Sequence, residues 1–554
     1  MRISLITSFV CFFIISPLWG QEKAKNWVQQ GEIHGNFQAE AQYYFEDTAI
    51  GATGVEELMG MNGFANVNYT NGNISAGFRY ESYQNALQGF PEGYQGNGFP
   101  YRYFTYTGKN LNFTVGNFYE QFGNGFVFRT YEERGLGYDN VMDGIRIGYK
   151  VSPGIYLKGV IGQQRIFYEL GEGIVRGADV EFSLNEMMKS MEDSYHRWTI
   201  GGSFVSKYQD DQRSDLNLPE NVGTGGVRLN YKYKKFRLGG EYVYKINDPS
   251  LDNGFRYNPG EVIYFQTAWS MKSLGMNLSG MRVDNMSYKS ERDMSGNNLL
   301  INYVPALTKQ HTYNLLATIY PYATQLNGQV GGQYDITKKF RKKTFLGGKY
   351  GTTVKLNLST YYDLDKTYIE DSNRTERNLE PEYTSTYNSV GDKFWSEINF
   401  ELTKKFSKKF GLVFNYSYLE YNQNIIEGKT NPWELVYANI FVVDLTYRLN
   451  KKHALRMELQ SLTTEQDKGD WATALIEYTY APHWFIAVMD QYNYGNSHED
   501  KRFHFYNIGG GYNKGGTRIG LSYGRQREGI FCVGGVCRNV PASNGFYLSV
   551  THSF

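Results

Sequence analysis

Apolar and polar side chains alternate along most of the chain, and the last ten residues show the pattern clearly. Phe546, Leu548 and Val550 fall on one face, with polar residues such as Ser549 between them. Successive side chains of a strand point to opposite faces, so this strand has one apolar and one polar face. The run ends on Phe554, and a terminal aromatic residue is typical of the closing strand of a bacterial outer-membrane β-barrel. We expect this barrel-closing terminus to pair with the first strand, because hydrocarbon offers no partner for a free sheet edge.

The same alternation begins at residues 33–43 and then repeats as hairpins. Asn71 and Gly72 join two alternating runs, and this dipeptide favours a two-residue hairpin turn because both positions tolerate positive φ. We count about 26 strands, within a range of about 24–26 because one hairpin is ambiguous. For that hairpin we expect a descending strand over residues 300–307 and an ascending strand over 312–320. An even count places both chain ends on the periplasmic side.

Short turns and long polar segments follow one another in a regular order. The short turns fall at residues 108–110, 152–154, 234–235, 271–273, 407–409, 450–452, 481–483 and 514–516. The long segments include residues 46–60, 83–100, 209–224, 286–296 and 365–392. Short periplasmic turns and long extracellular loops are the pattern of outer-membrane barrels. Residues 184–191 predict a turn or two of helix at the short-turn rim.

Charged residues occupy the strand faces opposite the apolar ones. They are Arg146, Lys158, Glu181, Arg228, Glu241, Lys355, Glu397, Glu401, Arg456, Glu458, Glu477 and Arg518. A charge facing lipid at the bilayer midplane costs ~2–4 kcal/mol, so these side chains are expected to point into the lumen. The alternative is a soluble sheet, but its apolar face would need a covering layer and the sequence predicts almost no helix. The fold class is therefore an all-β, transmembrane antiparallel barrel in the bacterial outer membrane.

Composition agrees with this class. Aromatic residues make up 16% of the chain, with 48 Tyr and 35 Phe, and Tyr suits a membrane boundary. The mean hydropathy is −0.52, and after the first twenty residues the sequence has no apolar run of the ~18 residues that a membrane helix needs. The net charge of +1, from 57 basic and 56 acidic residues, gives no reason to propose a nucleic-acid partner.

The ends of the chain and its cysteines indicate export. Residues 1–20 resemble a signal peptide, residues 21–31 form a short periplasmic lead, and residues 32–554 form a single barrel. Cys11 is expected to leave with the signal, because its apolar flanks do not fit a lipoprotein signal. Cys532 and Cys537 then predict a disulfide across a tight loop. A metal site at this pair is disfavoured because no further Cys or His lies nearby.

Residues 121–142 form an unusually charged outer segment, which we expect to fold into the lumen. Its charges and the acidic residue that follows are Arg129, Glu132, Glu133, Arg134, Asp139 and Asp143. These residues predict a constriction or a ligand-contacting loop. The alternative is a loop whose ion pairs only stiffen the barrel.

Two further segments have an unusual composition. Residues 344–351 are glycine-rich, but the lysine position and the lack of a following helix do not match a phosphate-binding loop. They are better interpreted as a periplasmic turn. Residues 527–541 contain the cysteine pair and predict a stapled outer loop between the last two strands. This loop could form a cap or a site where a partner docks. The simpler alternative is that the disulfide only stiffens the loop.

These three segments, residues 116–140, 344–351 and 527–541, carry a family resemblance together with residues 309–313 and 321–325. They resemble a family of uncharacterised outer-membrane β-barrel proteins from Bacteroidota, over nearly the whole mature chain. The resemblance implies an outer-membrane barrel whose chain begins in the periplasm. The family supplies no catalytic residues to carry over.

The sequence favours a channel or transporter for an unidentified solute, with a lumen partly filled by loops, because a barrel of this strand number would otherwise leak. The alternative is a structural or assembly subunit of an outer-membrane secretion or biogenesis complex with protein partners. A barrel-embedded hydrolase is disfavoured, because no nucleophile accompanies the strand and turn histidines His311, His483, His504 and His552. We expect no enzymatic activity and no cofactor, with outer-membrane lipid and a lumen solute as partners.

Overall fold

A computed structural model describes residues 31–211, 213–369, 381–534 and 536–554. Within these ranges, 24 antiparallel strands form one continuous sheet. In chain order they are Glu32–Tyr44, Met59–Asn71, Ile74–Gln84, Gly96–Thr107, Leu111–Phe118, Met142–Ser152, Ile155–Ile166, Glu169–Ser183, His196–Tyr208, Asn221–Tyr233, Phe236–Lys245, Gly260–Met271, Leu274–Asp284, Gly328–Phe340, Thr352–Tyr368, Tyr383–Lys405, Phe410–Tyr421, Val436–Arg448, His453–Thr463, Trp471–Tyr480, Trp484–Tyr492, His504–Lys514, Thr517–Gln526 and Ser543–Ser553.

The sheet closes on itself where the two ends of the chain meet. The first strand pairs with the last in an antiparallel register that places Tyr43 opposite Phe546. At the short-turn rim, the amide of Gly35 donates to the carbonyl of Phe554 at 2.9 Å and the amide of Phe554 donates back at 3.0 Å. Every strand therefore has two neighbours, which removes the free edges that hydrocarbon cannot satisfy. The predicted antiparallel barrel is confirmed.

The two faces of the wall differ as the alternation predicts. Ile147 and Ile161 point outward and are 45% and 47% exposed, whereas the neighbouring Arg146 and Lys158 point inward and ion-pair with Glu120. An apolar outer face on a closed barrel is stable only in lipid, and this is the architecture of a bacterial outer-membrane protein. No helix of the described residues is long and apolar enough to cross a membrane.

The strand count corrects one prediction. Residues 300–307 and 312–320 are not strands, so the barrel has 24 strands rather than about 26. Both stretches belong to one long connection between the strands Leu274–Asp284 and Gly328–Phe340, and the second contains the short helix Asn314–Thr318. Their apolar side chains are buried inside the barrel. Burial in the lumen therefore produces the same apolar pattern that lipid contact would.

The remaining elements are short and lie in the connections. Helical turns occur at Leu184–Met187, Asn314–Thr318 and Gln423–Ile426, and 3-10 turns at Thr48–Ile50, Glu92–Tyr94, Arg134–Leu136, Lys189–Met191, Leu251–Asn253 and Glu499–Lys501. Three small ladders pair Gln121–Phe122 with Phe128–Arg129, Glu132–Glu133 with Tyr138–Asp139, and Gly529–Val533 with Val536–Val540. The predicted signal peptide 1–20, with Cys11, and all of the lead 21–31 except Gly31 lie outside the described residues.

Candidate functional site: a lumen occupied by three outer loops

Residues 119–141, which we call the first lumen loop, fold from the long-loop rim into the barrel. Phe122, Phe126 and Phe128 have no solvent exposure. They pack against valines on the inner face of the wall, including Val160 and Val205. Asn124 is held by Glu241 of the wall, which accepts from the Asn124 side chain at 2.6 Å and from its amide at 3.0 Å. Burial of this aromatic cluster therefore holds the loop inside the barrel.

Residues 285–327, the second lumen loop, fill much of the remaining lumen. Leu315, Leu316 and Tyr320 of this loop are almost completely buried against wall residues such as Tyr421 and Trp471. Polar contacts fix the rest of the loop. His311 Nε2 lies 2.7 Å from a carboxylate oxygen of Glu397, and the Leu315 amide donates to Gln460 Oε1 at 3.0 Å.

The two lumen loops are bonded to each other. The amide of Arg129 donates to the carbonyl of Ile301 at 2.9 Å, and the amide of Tyr303 donates to the carbonyl of Gly125 at 2.9 Å. The Asn140 side chain donates to the carbonyl of Leu300 at 2.7 Å. These contacts join the loops into one plug, so a force that moves one loop also acts on the other.

The third segment is the stapled hairpin, made of the strands Gly529–Val533 and Val536–Val540. The predicted disulfide between Cys532 and Cys537 is present in it. The hairpin leans on the second lumen loop, because the Tyr303 hydroxyl and the Ala306 amide both donate to the carbonyl of Gly534, at 2.8 and 3.2 Å.

A buried cluster of five charges fastens the first lumen loop to the wall. Arg79 of the wall lies 2.8 Å from Glu132 and 3.1 Å from Glu81. Arg165 of the wall lies 2.7 Å from Asp139 and also donates to both carboxylate oxygens of Glu81. Removing one member of such a cluster leaves an unpaired charge in a low dielectric, which is strongly destabilising.

Burial and partners move the pKa values of the loop carboxyls in opposite directions. Burial raises the pKa of Asp139 above its ordinary value, against the lowering effect of Arg165. Burial would also raise the pKa of Glu120, but the hydrogen bond and charge of Lys158, together with the charge of Arg146, outweigh it and lower that pKa. Glu120 is therefore a carboxylate that is stabilised in its ionised form when the loop is docked.

The structure places the six predicted constriction residues in four different environments. Glu132 and Asp139 belong to the buried cluster, with Arg134 at its edge 2.8 Å from Glu132. Arg129 pairs with no carboxylate among the described residues; its guanidinium lies over the rings of Tyr131 and Tyr303, at 4.6 and 4.1 Å.

Glu133 and Asp143 complete the six. The Glu133 side chain accepts from the amide of Gly135 at the start of a 3-10 turn. Asp143 lies on the outward face of its strand, with Ile145, and ion-pairs with Arg102 at 3.1 Å. The expected lumen position of Asp143 is therefore not the one that the structure gives it, because the alternation of the strand Met142–Ser152 turns it outward.

Three members of the buried cluster were not among the predicted site residues: Arg79, Glu81 and Arg165. The alternation of the sequence indicates that Arg79 and Glu81 point inward, since they share the polar face of one strand. No pattern in the sequence indicates this for Arg165. Simple alternation would turn it outward with Ile161, but a register shift between Gln163 and Arg165 directs its side chain into the lumen.

The histidines considered for hydrolysis have other partners. His311 pairs with Glu397 and His504 with Asp490, each at 2.7 Å. His483 lies 2.6 Å from the carbonyl of Asn513, and His552 lies 2.8 Å from the Thr517 hydroxyl. In the described ranges no group of His, Cys, Asp and Glu is arranged to hold a metal ion.

A family of unknown function, DUF6029, matches residues 1–554. The chain belongs to this family. No curated protein matches it. The family covers the complete barrel together with both lumen loops and the stapled hairpin, so all three segments lie within the matched region.

Solved structures similar to this DUF6029 protein are outer-membrane barrels. A mutant ferric enterobactin receptor (PfeA) from Pseudomonas aeruginosa is 10% identical, with a TM-score of 0.43, covering 94% of this chain and 80% of the receptor. The P pilus usher (PapC) translocation pore is 9% identical, with a TM-score of 0.42 and coverage of 94% and 99%. The copper transporter OprC is 10% identical, with a TM-score of 0.38 and coverage of 95% and 80%.

Proposed function

We propose that this protein is an outer-membrane channel or transporter whose lumen is closed at rest by its own outer loops. The main support for this proposal is that the plug is attached to the wall only by non-covalent contacts. Two lumen loops occupy the lumen, and they are held there by packing, hydrogen bonds and ion pairs such as Arg165–Asp139 rather than by covalent bonds. Such contacts can be broken and remade, so a solute or a partner that binds the outer loops can open a path.

The barrel wall does not need the plug to close. Phe118 and Met142, which flank the first lumen loop, are register partners on adjacent strands. Asp284 and Gly328, which flank the second, are also register partners. A few glycine and serine residues can therefore replace each loop without breaking the sheet.

This geometry gives a direct test in planar bilayers. We expect the full chain to remain closed or to conduct only in rare bursts, and the chain lacking residues 121–139 and 287–325 to form a large, stable pore. A matched control replaces residues 184–191, at the opposite rim, and is expected to behave as the full chain does. Heat-modifiable mobility on gels shows whether each variant has folded as a barrel.

The second candidate function is a structural or assembly subunit of an outer-membrane complex. The density of the plug favours it, since side chains such as Leu315 and Phe126 are as buried as those of a soluble core. Absence of conductance in the folded double-deletion variant, together with co-purification of envelope proteins in mild detergent, would establish this function instead of a channel. The Bacteroidota origin and the signal peptide over residues 1–20 stay predictions.

A further inference from the structure

A cavity of about 560 Å³ lies between the plug and the wall near the seam of the barrel. We call it the inner cavity. Asn314 and Thr318 of the second lumen loop and residues of the stapled hairpin form one side, and Gln491 and Asn507 of the wall form the other. A second cavity of about 400 Å³ lies beside it, and Arg527 lines both. Arg527 therefore stands between the two spaces.

The charge of the inner cavity is positive. Its lining contains three arginines, Arg525, Arg527 and Arg538, and one acidic residue, Glu40. Asp47 neutralises Arg525 at 2.6 Å, and the Glu40 carboxylate accepts a hydrogen bond from Gln38 at 3.1 Å.

The other two arginines form no ion pair among the described residues, although nearby carboxylates favour their charged forms: Glu40 for Arg538, and Asp467, Glu528 and Glu427 for Arg527. The Arg527 guanidinium donates to the hydroxyl of Thr318 at 2.7 Å, to the carbonyl of Thr318, and to the carbonyl of Glu528 at 3.0 Å. The Arg538 guanidinium lies over the Phe90 ring at 4.2 Å, and its Nε and Nη1 are buried with no hydrogen-bond partner among the described residues. A partly buried guanidinium with unsatisfied donors is best satisfied by an anion, because hydrogen bonds between ionised groups are the stronger ones.

Two amides of the lining are also unsatisfied in the described structure. The Oε1 atom of Gln88 and the Nε2 atom of Gln491 are buried without a hydrogen-bond partner, and Gln491 is only 3% exposed. Buried polar groups are normally paired. A ligand that satisfies both atoms must therefore offer a donor to Gln88 Oε1 and an acceptor to Gln491 Nε2. Hydroxyl groups offer both.

We propose that the inner cavity binds an anionic, hydroxyl-rich solute of the sugar-acid class. Arg538 and Arg527 contact its acidic group, and Gln88 and Gln491 contact its hydroxyls. This inference rests on the proposed function, because it names the class of solute that the channel or transporter takes. Arg527 also lines the second cavity, so its guanidinium can contact an acidic group in either space.

Calorimetric titration of the full chain in detergent tests the proposal with three probes of similar size. Gluconate carries a negative charge, glucose is neutral and glucosamine is positive. We expect gluconate to bind at least about tenfold more tightly than glucose, because a charge-assisted pair with arginine is lost in the neutral sugar. Glucosamine is expected to bind more weakly still.

Variants identify the site. Arg538→Gln is expected to reduce gluconate affinity to the level of glucose, and Arg538→Lys to retain part of the preference because it keeps the charge. Arg102→Gln, which alters an arginine on the outward face of the barrel, is the matched control and should bind gluconate as the unaltered chain does. Equal binding of the three probes, no gluconate binding, or full gluconate affinity in Arg538→Gln would overturn the proposal.

The binding measurement does not depend on conductance. If gluconate binds selectively but neither the full chain nor the loop-deletion variant conducts, the channel proposal fails and the site stands. If the loop-deletion variant conducts but the full chain does not bind gluconate, the site fails and the channel proposal stands.

Discussion

Arg165 of the barrel wall ion-pairs with Asp139 of the first lumen loop at 2.7 Å, and the two side chains are only 2% and 5% exposed. The pair links an element that cannot move to one that must move if the lumen is to open. Glu81 shares Arg165 and is equally buried. The link is therefore sensitive to the loss of a single cation.

We predict that Arg165→Gln releases the first lumen loop while the barrel stays folded. The substitution leaves Arg79 to balance the buried carboxylates of Glu81, Glu132 and Asp139, and removing one partner of a buried ion pair costs about 3–5 kcal/mol. Hydrogen exchange of residues 119–141 should accelerate, and bilayer recordings should show more frequent openings. The matched control is Arg502→Gln, since its loop partner Glu499 is 85% exposed and exposed pairs contribute at most about 1 kcal/mol. Equal protection in the two variants would contradict the prediction.

Acidification is predicted to loosen the loop at Glu120. The docked loop lowers the pKa of Glu120 below its ordinary value of 4.5. The resulting stabilisation is fully present above that value and is lost as the pH falls through the lower, docked pKa. Bilayer conductance should therefore rise as the pH falls below 4.5.

Glu120→Gln provides the comparison for this acid effect. It removes the titrating group, so its conductance should respond less to the same change of pH. Asp139 acts in the opposite sense, because burial raises its pKa and proton uptake favours the docked loop. An acid response that is unchanged in Glu120→Gln would show that another group controls it.

Reduction of the disulfide is predicted to loosen the stapled hairpin without unfolding the barrel. Closing so short a loop stabilises the hairpin by roughly 2 kcal/mol in the chain-entropy account. The variant with Cys532→Ser and Cys537→Ser should show faster hydrogen exchange over residues 529–540 and around Tyr303, which bonds to Gly534. Tyr303→Phe, which removes only that hydroxyl, should produce a smaller change. Exchange that is slow in both variants would argue against a stapling role.

The two faces of the wall can be tested with neighbouring substitutions in one strand. Ile508 is 49% exposed on the outer face, whereas the adjacent Asn507 lines the inner cavity. Ile508→Arg is expected to destabilise the folded barrel in vesicles by ~2–4 kcal/mol if it lies near the bilayer midplane. Asn507→Arg should cost less, and urea unfolding from vesicles measures both. A larger loss for Asn507→Arg would reverse the assignment of the faces.

The alternation of side chains was sufficient to predict the architecture. A strand has a period of two, so runs such as residues 33–43 and 546–550 carry their own orientation, and Phe554 marks the strand that closes the barrel. Applied strictly, the same rule gives Asp143 an outward position, because it shares the face of Ile145. It also gives Arg79 and Glu81 inward positions.

Only the tertiary structure decided what fills the barrel. Residues 300–307 and 312–320 have apolar patterns that fit lipid-facing strands, yet they pack inside the lumen, because an apolar side chain is stabilised equally by lipid and by a buried cluster. Arg165 joins the charge cluster because a register shift turns it inward, against the alternation of its strand. Arg527 and Arg538 meet at one cavity because the stapled hairpin folds against the second lumen loop. A local pattern determines which way a side chain points on a regular strand, whereas the partner it meets depends on chain segments far away in the sequence.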